Sequence, residues 1–457
     1  MLRIPIKELD VPQYDDDHVI RSWKWFMSFM SKKDWQRRKA DIENKIAVHF
    51  KATQPFSGPI SEGTLLVEKN DVIGWYLYLL DMLINEPHKY EYFQGSRIVP
   101  IFKRFGLDFE LLKNIGGVEK KIKDLINKRK SEADAFLFEI MTALLWARNG
   151  YQVAFLDEKK AGKTSDIIAK RDEETWSIEC KRQSKTSDYT YRENTKRQKM
   201  VSYISKTLLE RNILLDIEFH VELENLPDTF LKDLLEEKLK RPVTGKIVSN
   251  TKVDIELSFV DMFKIKEHLE NNSVKDYSPM LHSLIGKKPI DNKGFTCGIA
   301  ADYFRIGEGD VNNLYISYIS NAFGVYCSCD AKEALWAKAR DIKNQVHKAM
   351  QQFNSQNNAV IHVGMETFDG PQVEKKRFDK IKSTIAQIST ENTNLKWIFC
   401  SFFQAYSRPH EYYIFDETVS TISPYLTPKP PLDTRLMIVP EDENTEDDLN
   451  HWDRPLP

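Results

Sequence analysis

The chain has 457 residues, 41% of them hydrophobic, and a formal net charge of -2. That length suits roughly two or three domains of ~150 residues, and the charge excludes a protein that binds nucleic acid through overall basicity, so any such surface must be local. Five scattered cysteines give no disulfide framework, no apolar run approaches the ~20 residues of a membrane span, and the opening MLRIPIKELD has no signal core, so a soluble cytoplasmic protein with no membrane partner is expected.

The first hundred or so residues read as helices. Trp23, Trp25, Phe26, Phe29, Met30 and Trp35 recur at helical spacing, as do Trp75, Leu77, Leu79, Leu80 and Leu83. Such stripes are core positions. The pattern changes at Gly116-Gly117. A charged helix over 118–130 leads to Ser131, a candidate cap for the next helix, with Asp134 in its first turn and Gly150 as its stop. Strands follow over 151–156, 165–169 and 175–180, then a basic helix over 193–211 and a strand over 213–222.

Further on, the spacing predicts a helix over 227–239, a strand over 253–260 and an exposed loop over 286–294. Strands over 314–319 and 324–328 follow. An amphipathic helix over 331–353 carries Leu335, Ala339, Ile342, Val346 and Met350 on one face. A strand over 359–365, a helix over 372–388 and a strand over 395–403 complete a C-terminal α/β unit. The tail after Thr427 is rich in Pro, Asp and Glu, a composition expected to be disordered at its end. Cys327 and Cys329 read as alternating strand positions, because no partner pair with zinc spacing accompanies them.

The chemistry concentrates in one segment. Asp166 opens an apolar strand, and Glu179 and Lys181 close the next one. Side chains two apart on a strand share a face. A hairpin across 171–174 would bring Asp166 beside them. Two carboxylates and an ammonium are what phosphodiester hydrolysis needs: oxygen ligands for Mg²⁺ and a cation to orient water and stabilise developing charge. The triplet Glu-x-Lys alone is uninformative. It also occurs at Glu43/Lys45, Glu119/Lys121, Glu158/Lys160, Glu236/Lys238 and Glu374/Lys376, where it reads as ordinary surface pairs. Only Glu179/Lys181 ends an apolar β-rich run preceded by a strand with an Asp.

This pattern resembles the PD-(D/E)xK phosphodiesterase superfamily, over about residues 131–223. Its motif is an Asp, then Glu-x-Lys on the next strand, with a Glu often on the first helix. Asp166, Glu179 and Lys181 match directly, and Glu139 matches the helix position. The motif's Pro is replaced by Ser165, and Gln198 and Tyr203 are too far apart for the Gln-x3-Tyr branch. Glu132 is the rival of Glu139, but Glu139 is flanked by Phe136, Leu137, Phe138, Ile140 and Met141, where a carboxylate needs a partner.

The resemblance implies an α/β protein with a restriction-endonuclease-like core ordered helix, three strands, helix, strand. The resemblance does not cover the N-terminal region or the C-terminal unit, and the patterning along the chain divides it into 1–117 (helical), 118–225 (nuclease core), 226–426 (C-terminal α/β unit) and 427–457 (Pro/acidic tail). The implied activity is Mg²⁺-dependent nuclease cleavage, with Mn²⁺ as a substitute, nucleic acid as partner and DNA as substrate. Asp166, Glu179 and Glu139 would hold the metal, and Lys181 would complete the catalytic set. Restriction or anti-phage defence would suit such an enzyme. Arg182, Lys185, Arg192, Lys196 and Arg197 follow the motif directly and read as a phosphate-backbone track. The C-terminal unit would regulate the enzyme or assemble a homo-oligomer. The alternative reading is a non-catalytic nucleic-acid-binding or scaffold protein built on a nuclease-like core.

Overall fold

The computed structural model describes residues 8–9, 14–52, 70–156, 164–183, 188–286, 294–307, 312–339, 343–353, 357–366, 370–387, 394–423, 429–440 and 450–453. Lys185, Ile342, the loop read within 286–294 and the acidic stretch 441–449 of the tail lie outside these, whereas 429–440, read as part of the tail, packs into the core through Leu432, Met437 and Ile438. No described helix is long and apolar enough to cross a membrane.

The fold is α/β, with two mixed sheets. Its strands are β1 (Glu8–Leu9), β2 (Gln152–Phe155), β3 (Ile167–Arg171), β4 (Glu174–Gln183), β5 (Ile213–Phe219), β6 (Gly245–Ser249), β7 (Val253–Phe259), β8 (Asn272–Lys275), β9 (Gly294–Arg305), β10 (Leu314–Cys329), β11 (Asn358–Glu366), β12 (Leu395–Tyr406) and β13 (Ile414–Ile422). The sheet that carries the motif runs β13-β12-β11-β4-β3-β2, and the other runs β1-β8-β10-β5-β7-β6 with β9 on β10.

The N-terminal helices are α1 (Asp17–Met27), α2 (Lys32–Ala52), α3 (Val72–Asn85), α4 (Tyr92–Leu107) and α5 (Phe109–Lys113), followed by α6 (Val118–Asn127) and α7 (Ala133–Arg148). The aromatic stripes are core as expected: Phe26, Trp75, Leu77, Leu79, Leu80 and Leu83 are buried, and Trp23, Trp25, Phe29 and Trp35 pack against them. The same hydrophobic cluster takes in α7 and Trp176, Ile178 and Cys180 of β4. The helical region therefore packs on the α7 side of the motif sheet. Helix α7 begins after a 3-10 turn at Lys130–Glu132 with no side-chain cap, so Ser131 does not serve as one. Gly150 ends it with φ +82°, a conformation that disfavours any side chain.

Two sequence expectations fail here. The strand at 213–219 does not extend the motif sheet. It pairs in parallel with β10 and antiparallel with β7. Its expected place beside β4 is filled by β11, in parallel register Ile361↔Glu179. The reason is burial: Ala359–Met365 is buried throughout, which suits a central parallel strand covered on both faces. The C-terminal α/β unit is accordingly not separate. Its strands β11, β12 and β13 complete the motif sheet, and β6 to β10 lie in the other.

The helix expected over 331–353 is two helices, Lys332–Lys338 and Lys343–Met350. The first packs on helix α8 (Asp188–Ser202), where Ala331 and Ala334 meet Tyr189. The second covers β11 and β12 through Val346, Ala349 and Met350. The basic helix is likewise two, α8 and Ser205–Glu210. Strands 314–319 and 324–328 are one strand, β10, with two register shifts. Cys327 and Cys329 both lie on it, as expected.

Candidate active site

The site forms at the end of the β3–β4 hairpin. Asp172 takes the left-handed conformation (φ 51°) that Asp tolerates in tight turns. The short turn sets the register Arg171↔Glu174 through Ile167↔Ile178. One step further places Asp166 across from Glu179. Two hydrogen bonds hold it there. Its backbone carbonyl accepts the Leu156 N–H (3.0 Å), and its carboxylate accepts the Cys180 N–H (2.8 Å).

Glu179 is 3% exposed. Its Oε1 accepts from Lys181 Nζ at 2.5 Å, and its buried Oε2 has no hydrogen-bond partner among the described residues. Cys180 points to the opposite face, into the α7 cluster. Glu139 comes from α7. Its position depends on Phe138, which is fully buried, and on Gly364 of β11: a Cβ there would stand 2.4 Å from Phe138 Cε2. Only glycine lets α7 press this closely on β11.

The three carboxylates sense one another. Burial first, then the charge of Asp166, pushes Glu179 from an ordinary 4.5 to about 7 against the opposing Lys181. Burial and Asp166 likewise raise Glu139 to about 7, against Lys121 and Lys181. Burial would lower the Lys181 pKa, but Glu179 outweighs it and raises it. This is a cluster of like charges in a low-dielectric site, partly offset by two ammoniums. Glu132, the rival of Glu139, pairs with Arg129 at the surface.

As arranged, the ligands do not yet enclose an ion. Among the described residues no three His, Cys, Asp or Glu side chains stand close enough to hold one. Two of the carboxylates have an internal hydrogen-bond donor instead, Asp166 the Cys180 N–H and Glu179 the Lys181 ammonium, and Glu139 is in ion contact with the Lys121 ammonium. The donor chemistry nonetheless fits Mg²⁺ or Mn²⁺, which take hard carboxylate oxygens, and Glu179 Oε2 is a buried acceptor left unused.

The basic track is reorganised. Arg182 is not on the surface. It is buried, pairs with Glu366 at 3.0 Å and lies over the Phe403 ring at 4.8 Å. Arg97 of α4 binds the same carboxylate. Arg192 is exposed but pairs with Glu224 (2.5 Å). Lys196 and Lys199 share Asp228 (both 2.6 Å). Arg197 is half-buried against Gly294. The segment 222–228 thus folds its acids onto α8 and neutralises much of its charge, which no local pattern could show. The residues overlooked in the sequence are Lys121, Glu366 and Arg97. Lys121 belongs to one of the Glu-x-Lys triplets read as ordinary pairs, and only tertiary contact with Glu139 distinguishes it.

No family model, curated protein or solved structure matches this chain.

Proposed function

We propose that this protein is a metal-dependent nuclease of PD-(D/E)xK type that hydrolyses nucleic-acid phosphodiester bonds, with DNA as its substrate. One observation carries the reading. Asp166, one residue before β3, stands at the end of the β3–β4 pairing with its carboxylate on the N–H next to Glu179, Lys181 lies two residues on from Glu179, and a third carboxylate, Glu139, shares their field. In this reading β11, reached only after the inserted second sheet, is the fourth strand of the restriction-endonuclease-like core.

Asp166, Glu179 and Glu139 would hold Mg²⁺ or Mn²⁺, which supplies Lewis-acid polarisation of the phosphodiester. The Lys181 ammonium, released from Glu179, orients the attacking water and stabilises the charge that grows on the phosphoryl oxygens.

A second reading, a non-catalytic nucleic-acid-binding or scaffold protein, is favoured by one observation: every carboxylate of the cluster is already engaged internally, two by hydrogen bonds and Glu139 by the Lys121 ion pair. Supercoiled plasmid separates the two. The nuclease nicks or linearises it only with Mg²⁺ or Mn²⁺, and Lys181→Ala does not. Binding without cleavage under every divalent cation would establish the second reading.

A further inference from the structure

The Lys121 ammonium is in ion contact with Glu139 Oε2, and the two side chains are 20% and 14% exposed. Its place is built by the fold. Helix α6 starts at Gly117, and the preceding Gly116 is tied to β2 by two hydrogen bonds, to the Val153 carbonyl (2.9 Å) and from the Phe155 N–H (2.8 Å). That junction sets Lys121, one turn into α6, above the end of the motif sheet. Its Nζ also lies 4.3 Å from the Phe136 ring centroid and 5.6 Å from that of Phe155. Sequence places Lys121 beside Glu119, but residues two apart on a helix do not face each other. Its acidic partner is in the cluster instead.

We propose that Lys121 is a positioning residue for Glu139 and that, in the cation-free protein, it stands in the place of a divalent ion, so that the two compete for the same carboxylate. The inference rests on the nuclease reading and adds how its metal site is kept assembled before loading. One buried carboxylate, Glu179, and two half-buried ones, Asp166 and Glu139, repel one another, and an ammonium at Glu139 relieves part of that repulsion. It competes with a cation for Oε2, because two positive charges crowded onto one carboxylate oxygen repel each other. The Phe136 and Phe155 rings beside the same Nζ also favour a cation there, so the ammonium need not leave the rim when it yields Oε2.

The test is calorimetric titration of the full chain with Mg²⁺, for wild type, Lys121→Gln, Glu139→Gln and the double variant, alongside melting temperatures in EDTA. Lys121→Gln should bind Mg²⁺ at least about fivefold tighter, the lower range of coupling between interacting sites. Glu139→Gln should bind more weakly, and adding Lys121→Gln to it should change nothing more. Without metal, Lys121→Gln should melt lower than wild type and the double variant should recover. Lys121→Met, which keeps the stem between the rings, should give the same affinity shift. Unchanged or weaker Mg²⁺ binding by both Lys121 variants, with wild type binding normally, overturns the competition and leaves the nuclease reading intact. A wild-type chain that binds no Mg²⁺ overturns both.

Discussion

Asp166 and Glu179 are cross-strand neighbours, and the Asp166 carboxylate is tied at 2.8 Å to the N–H of Cys180, the residue between Glu179 and Lys181. The hairpin register thus sets the spacing of Glu179 and Lys181, and the bend before β3, pinned by the Leu156 N–H, brings Asp166 to them.

This arrangement separates the roles of the three residues. Asp166→Ala, Glu179→Ala and Lys181→Ala should each abolish plasmid cleavage. The first two should also weaken Mg²⁺ binding, because they remove oxygen ligands. Lys181→Ala should leave metal affinity within about twofold of wild type while the chemical step slows. Calorimetry beside single-turnover rates checks this, and wild-type cleavage by Lys181→Ala would sink the mechanism.

The carboxylate cluster makes a signed prediction about pH. Glu139 and Glu179 both rise from 4.5 to about 7 on folding. Between those values the folded chain binds more protons than the unfolded one, so stability falls as pH rises. Their contribution is complete below about pH 4.5 and lost through about pH 7. In EDTA the melting temperature of wild type should therefore fall over that window more steeply than that of Glu139→Gln/Glu179→Gln. Added Mg²⁺ should restore most stability at the alkaline end, where the ligands are deprotonated. Parallel pH profiles for the two proteins would refute the assignment.

Close packing of Phe138 on Gly364 implies a compensating pair. Gly364→Ala puts a methyl 2.4 Å from the Phe138 ring, an overpacking that costs about 1–3 kcal/mol. It should also reduce cleavage by shifting Glu139. Adding Phe138→Leu should recover part of both losses. Denaturant midpoints and cleavage rates report it, and purely additive effects would show that the two residues are not coupled.

Glu366 neutralises two buried arginines, Arg97 and Arg182. Glu366→Ala leaves both without this carboxylate and should destabilise the chain by about 3–5 kcal/mol. A denaturation midpoint near that of wild type would mean that solvent or another acid reaches them.

The acids on α8 restrain its basic residues. Glu224→Gln with Asp228→Asn should release Arg192, Lys196 and Lys199, tighten DNA binding and steepen its salt dependence, because freed cations displace more counterions. Fluorescence anisotropy at several salt concentrations measures the slope. An unchanged slope would place the phosphate contacts elsewhere.

The main local signals of the site were legible in the chain, although the breaks within 193–211 and 331–353 were not. Apolar β-rich runs marked β3 and β4, and the two-residue repeat of a strand put Glu179 and Lys181 on one face. Helical stripes marked the N-terminal core, and Gly150 marked the end of α7. These features depend on residues within a few positions of one another. What only the tertiary structure decided was pairing over distance. A buried apolar strand such as β11 is compatible with any sheet that covers both its faces, so nothing near residue 360 announces that it lies beside residue 179. The same holds for charge. Arg182 reads as a surface cation until Glu366, 184 residues away, meets it in the interior. Lys121 reads as a surface pair with Glu119 until helix α6 carries it to Glu139. Side-chain chemistry is written locally, but whether a charge faces water or a buried partner depends on which distant segment covers it.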